Sequence, residues 1–137
     1  MSGRKNEGGF AILMALLVTA IISSVAAAAF FVSVSDLKIS LNRAESAKSL
    51  RDAERVLAEA EMNMELCLKG ETLSGCVQDT ENSVIGVTNA VFIPPDGFSL
   101  SVRGEAGTFS AEIDAEYSFK GGAITLDLWR RGVEDVK

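Results

Sequence analysis

The chain of 137 residues contains no histidine, one tryptophan, one tyrosine, two cysteines and two prolines. Without histidine it cannot form an ordinary Ser-His or Cys-His nucleophile arrangement, and it has no glycine motif of the P-loop or dinucleotide-binding type. Paired carboxylates can perform acid-base chemistry, but the acidic residues fall on surfaces that we predict to face solvent. The sequence therefore predicts that the protein is not an enzyme and uses no cofactor.

Positive charge is also scarce. The chain has 13 Lys and Arg against 19 Asp and Glu, which gives a formal net charge of −6. Nucleic-acid binding relies on Lys and Arg that neutralise phosphates, and after the amino terminus the only adjacent basic pair is Arg130-Arg131. We expect no direct binding of nucleic acid.

Residues 10–34 carry no charged side chain at all, and only Thr19, Ser23, Ser24 and Ser33 among them are polar. As a helix this stretch is long enough to cross a bilayer, which takes about 20 residues. A short charged leader that ends in Gly8 and Gly9 comes directly before it, and the apolar run begins with Phe10. An ordinary secretory signal is cut after its apolar stretch, which is then lost, whereas a cut after Gly9 would keep this one.

The junction resembles the processing site of the type IV pilin-like superfamily, which includes type IV pilins, type II secretion pseudopilins and competence pilins. The resemblance covers residues 4–61. It implies an α+β pilin fold, in which a long amino-terminal helix spans the membrane with its first half. A small antiparallel sheet of three to four strands then packs on the second half of the helix.

The same resemblance implies a processing pathway and a set of partners. A prepilin peptidase would cut between Gly9 and Phe10 and methylate the new amino terminus of Phe10. The other implied partners are pilins or pseudopilins, bound through their amino-terminal helices, and the inner-membrane assembly platform. The implied location is the inner membrane, single-pass with the carboxyl terminus in the periplasm, and later a periplasmic or cell-surface filament.

Met14 departs from the family pattern, because most members carry a glutamate five residues into the mature chain. A carboxylate inside a membrane costs roughly 2.5 to 3.5 kcal/mol or more without a partner, and in pilins that partner is taken to be a neighbouring subunit's terminal amine, a pairing that Met14 cannot make. The departure is typical of GspK-type pseudopilins, and the Ala/Glu-rich residues 49–61 resemble PilX-type minor pilins. Both resemblances imply a minor subunit that primes or caps a type IV pilus or type II secretion-like filament. The alternatives are a single-pass membrane-anchored periplasmic binding protein and a major pilin.

The pattern along the chain divides it into five segments. Residues 1–9 form the leader, 10–34 the membrane half of the helix, 35–69 its amphipathic half, 70–97 a connecting loop with a disulfide, and 98–137 the sheet. Apolar residues recur every three or four positions from residue 37 to 68, which predicts a helix, and Gly70 is typical of a helix end. Three alternating stretches that begin at Phe98, Phe109 and Ile124 predict strands, and the short apolar runs Val84-Ile85 and Val91-Phe92-Ile93 in the connecting loop are candidates for further strands. Hairpin turns are predicted at Gly104-Glu105-Ala106-Gly107 and Lys120-Gly121-Gly122.

Cys67 and Cys76 are the only cysteines. The basic residues Arg4 and Lys5 favour a cytoplasmic amino terminus, which would place both cysteines in an oxidising compartment where they can pair. We predict a disulfide, which would contribute roughly 2 to 3 kcal/mol. Free thiols and a metal site are the alternatives, although the spacing and the absence of histidine do not suit zinc.

Two surfaces of the predicted sheet carry further candidates. Glu112, Asp114 and Glu116 alternate along one strand, with Asp127 on the next, and form either a solvated outer face or a calcium site. Trp129 falls on the polar side of the last predicted strand and makes a candidate interface with Arg130, since aromatic residues and arginine are enriched at interface centres. The alternative is that Trp129 packs against the chain's own loop or tail.

Overall fold

The structure, a computed structural model, describes residues 7–135 and divides the chain into two compact units, Met1–Leu41 and Asn42–Lys137. The described part of the first unit is entirely helical and belongs to helix α1, which has the bounds Glu7–Cys67. Between Phe10 and Cys67 the sequence has no proline or glycine that would interrupt a helix. The predicted leader residues Arg4 and Lys5 lie outside the described residues.

The second unit contains the rest of α1, a short helix and four strands. Helix α2 spans Leu73–Ser83, and the strands are β1 (Val87–Ile93), β2 (Gly97–Ala106), β3 (Phe109–Lys120) and β4 (Ala123–Asp135). The strands form one antiparallel sheet in the order β1-β2-β3-β4. The predicted α+β layout, with a long amino-terminal helix followed by an antiparallel sheet of three to four strands, is therefore confirmed with four strands.

The core of the second unit lies between α1 and the sheet. α1 contributes one stripe at helical spacing, and β2 and β3 contribute alternate residues on one face of the sheet. The buried apolar side chains of this core include Ala53, Val56, Leu57, Ala60 and Met64 from α1, Phe98, Leu100 and Val102 from β2, and Ala111, Ile113, Ala115 and Tyr117 from β3. Cys76 and Val77 of α2 and the following Val84 belong to the same core.

Gly104 allows β2 to approach α1 closely. A Cβ atom built on Gly104 would overlap backbone atoms of Ser49, Asp52 and Ala53, so only glycine permits this contact between strand and helix. The sequence placed Gly104 in a turn, which is wrong: it lies inside β2 and pairs with Ala111. The hairpin turns themselves use glycines with positive φ at Gly107, Gly121 and Gly122.

Residues 70–97, predicted as a connecting loop, contain α2 and β1. α1 ends at Cys67, where the backbone carbonyl accepts hydrogen bonds from the amides of Gly70 and Glu71 at 2.9 and 3.0 Å. α2 forms because Cys76, Val77 and Thr80 recur at helical spacing and are all buried. Its small size and polar composition hid this pattern among the glycines and asparagines of the segment.

Candidate functional site

The first candidate site is the apolar surface of α1 in the first unit. Its large apolar side chains, from Phe10 to Val32, are all exposed, and the helix contains a window with a mean hydropathy of 2.5 of which no part is buried. A surface of this kind is far larger than the apolar patches that soluble monomers expose. It is long and apolar enough to cross a bilayer, or it can be covered by other helices.

Three of the four polar residues within this surface, Thr19, Ser24 and Ser33, do not need a hydrogen-bond partner outside the helix. The hydroxyl of Thr19 donates to the carbonyls of Ala15 at 3.0 Å and Leu16 at 2.9 Å. Ser24 donates to the Ile21 carbonyl at 2.8 Å, and Ser33 to that of Ala29 at 2.9 Å. Because hydrocarbon cannot accept a hydrogen bond, hydroxyls that are satisfied by their own backbone suit a lipid environment.

The predicted processing junction is accessible at the start of α1. Gly9 and Phe10 are both helical and exposed, and in the described part of the chain nothing beyond the adjacent residues and the helix's own backbone lies within 4 Å of the position that a Cβ on Gly9 would occupy. Met14 lies one turn further along, with an uncharged thioether on the same exposed apolar helix. None of these three residues is covered by the described part of the chain.

The two cysteines meet where α1 ends and α2 begins. The sulfurs of Cys67 and Cys76 lie 2.09 Å apart, which is the distance of a disulfide bond. Cys76 is fully buried in the core, so the link fixes α2 to the end of α1. The Sγ of Cys67 lies 3.9 Å from an Oε of Glu71.

Cys67, Glu71 and Cys76 form a cluster of possible metal ligands in the part of the chain that the structure describes. Metal binding requires thiolate ligands. Since the two sulfurs are bonded to each other, they have no thiolate to offer, and the cluster is better described as a crosslink.

Glu61 connects α1 to the sheet through a polar contact. The hydroxyl of Tyr117 in β3 donates to a carboxylate oxygen of Glu61, and the Tyr117 ring stacks on Phe98 with 4.8 Å between centroids. Burial, the hydrogen bond to Glu61 and the negative charge of Glu61 all raise the pKa of Tyr117 far above its ordinary value. The tyrosine thus stays protonated and remains a donor to Glu61 throughout the neutral range.

The structure places Trp129 and Arg130 on opposite faces of the edge strand β4, both exposed, and their role as an interface stays a prediction. The register of β3 and β4 shifts between Glu116 and Tyr117, which leaves Asp127 as an extra residue in β4. Trp129 consequently pairs with the buried Ala115 and lies on the face that carries the helix, rather than on the polar face. The residue is 39% exposed.

The side chain that contacts the Trp129 ring is that of Arg131, not that of the adjacent Arg130. The guanidinium carbon of Arg131 lies 5.6 Å from the centroid of the Trp129 ring, within the range of a cation–π contact. Arg130 pairs with Asp114 across the outer face. The bulge could not be seen in the sequence, because a pattern with period two assigns faces only while the strand is regular.

The acidic row on the outer face takes part in short polar contacts across neighbouring strands. The hydroxyl of Ser101 donates to Asp114 at 2.6 Å, and that of Ser118 donates to Asp127 at 3.2 Å. The carboxylates Glu112, Asp114 and Glu116 occupy alternate positions of β3 and are exposed. This arrangement fits a solvated outer face.

Two features of the second unit were missed by sequence reasoning, the contact of Glu61 with Tyr117 and the burial of Thr80. Glu61 belongs to the charged positions between apolar ones in α1, and nothing in the sequence distinguishes it from Glu54 or Glu65. Thr80 is fully buried, and its hydroxyl has no hydrogen-bond partner among residues 7–135; only its spacing after Cys76 and Val77 could have signalled burial.

Comparison of the chain with profiles of protein families, with curated proteins and with solved structures gives no significant match.

Proposed function

We propose that this chain is a minor pilin or pseudopilin, a structural subunit that primes or caps the assembly of a type IV pilus or a type II secretion-like filament. The observation that carries the proposal is the Gly8-Gly9-Phe10 junction directly before the uncovered apolar surface of α1. A cut after Gly9 removes the charged leader and leaves the whole apolar helix attached to the protein.

The proposed mechanism uses the same surface in two environments. Before assembly, residues 10–34 hold the protein in the inner membrane, with the second unit in the periplasm. After processing and methylation of Phe10, the helix leaves the lipid and packs among the helices of other subunits. Both environments are dry; residues 10–34 bring no charged side chain into either, and the hydroxyls of Thr19, Ser24 and Ser33 donate to the helix's own carbonyls. Small residues such as those at 26–29 allow close approach of helices.

The test is amino-terminal and intact-mass analysis of the protein from membranes of cells with and without prepilin peptidase. The proposal expects a mature form that starts at methylated Phe10 only when the peptidase is present. A Gly9→Val variant should stay uncut, whereas Gly70→Val is a matched control, because a Cβ on either glycine would meet no described group within 4 Å beyond its own chain neighbours and nearby helix backbone. A chain that starts at Met1 under both conditions would contradict the proposal.

Met14 supports a start or cap position in the filament. In a shaft subunit the glutamate at this position is matched to the terminal amine of a neighbour, so a subunit without it has no need of a preceding neighbour. We expect Met14→Glu to change where or how well the subunit is incorporated, measured by immunogold labelling and by complementation. Unchanged incorporation would count against the tip position but not against the processing.

A membrane-anchored periplasmic binding protein is the second candidate, and the exposed apolar helix suits it equally well, since a lipid bilayer alone can cover that surface. Such a protein would not be processed by the peptidase. A major pilin would be processed too, and its abundance in sheared surface filaments would separate it from a minor subunit.

A further inference from the structure

Helix α2 is held in the second unit by few contacts apart from the disulfide. It packs beside β1, but only three of its 11 residues, Cys76, Val77 and Thr80, are buried. Among residues 7–135, no backbone hydrogen bond or ion pair joins α2 to α1 or to the sheet, and its side-chain hydrogen bonds stay inside the helix. The bond between Cys67 and Cys76 is therefore the main restraint on the position of α2.

α2 is also a weak helix by itself. Its 11 residues are fewer than the about 12 to 15 at which an isolated helix becomes marginally stable in water. Gly75 lies inside the helix and lowers its helix propensity. Thr72 at the N-cap makes no side-chain hydrogen bond, so it does not cap the first amides. The local sequence thus does little to keep α2 helical away from the core.

The burial of Thr80 opposes the docking of α2. Its hydroxyl has no hydrogen-bond partner in the described range 7–135 although the residue is 0% exposed. When α2 leaves the core, this hydroxyl can bond to water, so undocking recovers the free energy that burial of an unpaired hydroxyl costs. The disulfide offsets this cost, because it restricts the conformations that the undocked segment can adopt.

The residues that follow α2 are held independently of it. The amide of Arg103 in β2 donates to the carbonyl of Gly86 at 2.8 Å. A Cβ built on Gly86 would overlap the side chain of Val56, so the backbone at Gly86 lies directly against α1. Release of α2 would therefore stop before Gly86 and leave the core between α1 and the central strands in place.

We propose that the disulfide between Cys67 and Cys76 is a redox-sensitive switch that controls the docking of α2. In the oxidised protein α2 is docked on the second unit. After two-electron reduction by a dithiol, α2 separates from the core while α1 and the sheet stay folded. The switch lies within the second unit and does not depend on a cut after Gly9.

The exposure of the two cysteines determines how the reduction proceeds. Cys67 is partly exposed and Cys76 is fully buried, so a thiolate of the dithiol attacks the sulfur of Cys67. A new sulfur–sulfur bond forms there, the bond to Cys76 breaks, and the sulfur of Cys76 leaves with the electron pair and takes up a proton. The second thiolate of the dithiol then displaces Cys67 from the mixed disulfide. Cys67 is protonated in turn, and the dithiol ends as a disulfide.

The test is amide hydrogen exchange of the full-length protein in detergent, with and without dithiothreitol. In the reduced protein we expect residues 72–84 to exchange about tenfold faster or more, whereas β2 and β3 should change by less than about twofold. Mass analysis after thiol alkylation verifies the reduction. Cys67→Ser keeps the buried sulfur of Cys76, and it should exchange like the reduced natural chain whether or not dithiothreitol is present.

A substitution at Thr80 tests the physical reason for the switch. Thr80→Val removes the unpaired hydroxyl, so it should slow the exchange of residues 72–84 in the reduced protein by about fivefold or more. Thr72→Val is the matched control, because Thr72 is exposed at the start of α2 and makes no side-chain hydrogen bond to the helix. This control should not slow the exchange.

Two outcomes would overturn the inference. Unchanged exchange of residues 72–84 in the reduced protein and in Cys67→Ser would mean that α2 stays docked without the disulfide. Equal acceleration in β2 and β3 would mean that the disulfide stabilises the whole second unit and does not control α2 separately. Neither outcome bears on the cut after Gly9, so the proposed function is tested independently.

Discussion

The two parts of helix α1 differ in what surrounds them. In the first unit, Phe10 and Phe31 are 64% and 70% exposed, whereas in the second unit Ala53, Ala60 and Met64 are all 0% exposed. The more apolar part is thus the uncovered one, which reverses the usual relation between hydropathy and burial. The difference teaches that the second unit carries its own core, whereas the large apolar side chains of the first unit are not covered by the described part of the chain.

The largest expected effect comes from a substitution at Gly104, where β2 lies directly against the backbone of α1. Gly104→Ala places a Cβ against the backbone of Ser49 and Ala53. We expect it to lower the free energy of unfolding by about 3 kcal/mol or more, because a backbone cannot move aside as a side chain can. The measurement is urea unfolding of the full chain in detergent, followed by the fluorescence of Trp129. Gly132→Ala is the control, since its Cβ would meet nothing within 4 Å, and equal midpoints for both variants would contradict the close contact.

A pair of methionines compares a covered and an uncovered position within the second unit. Met64 is fully buried and Met62 is 62% exposed on the same helix. Met64→Ala should lower the free energy of unfolding by about 2 to 5 kcal/mol, because it leaves a cavity in the core. Met62→Ala should change it by no more than about 0.5 kcal/mol. Similar losses in urea unfolding would mean that α1 does not pack on the sheet along this stripe.

A charge introduced into the first unit should reduce membrane association without changing the stability of the second unit. Ile22→Asp should disfavour the membrane-inserted state by about 2.5 to 3.5 kcal/mol, measured as the fraction that remains with membranes after carbonate extraction. Ile22→Leu is the control. Neither variant should change the urea midpoint of the second unit, because Ile22 belongs to the first unit and is 62% exposed. A lowered midpoint would mean that the two units are energetically coupled.

The smallest expected effect is a dependence of the free energy of unfolding on pH that is caused by Tyr117. Its pKa is raised in the folded protein by burial and by Glu61, whereas in the unfolded chain it ionises near pH 10. The contribution to stability is therefore fully present below about pH 10, and it falls by up to about 1.4 kcal/mol per pH unit above that value. Tyr117→Phe should lose less stability than the natural chain between about pH 10 and 11. Parallel pH profiles would show that the Glu61 contact has no such effect.

Much of the architecture was accessible from the sequence, because its signals are local. The run without charge at residues 10–34 and the alternation in β2, β3 and β4 predicted the long helix and the sheet that are found. α2 was missed because residues 70–97 are rich in residues typical of loops, whereas the short apolar run Val91-Phe92-Ile93 indicated part of β1. For the candidate site, the sequence identified the Gly9-Phe10 junction, which is exposed, and the pairing of Cys67 with Cys76. The processing role of the Gly9-Phe10 junction remains a proposal.

The sequence by itself determined that α1 has one region without charge, that two cysteines are available to pair, and that several strands alternate in polarity. These properties follow from composition and periodicity along the chain. Only the tertiary structure decided that Gly104 lies against the helix, that Glu61 receives the hydroxyl of Tyr117, and that Trp129 lies on the helix-bearing face of the sheet. The contacts of Gly104 and Glu61 join residues that are far apart in the chain. The face of Trp129 depends on a single bulge, which reverses the faces of the side chains beyond it. Neither kind of feature leaves a periodic pattern in the sequence.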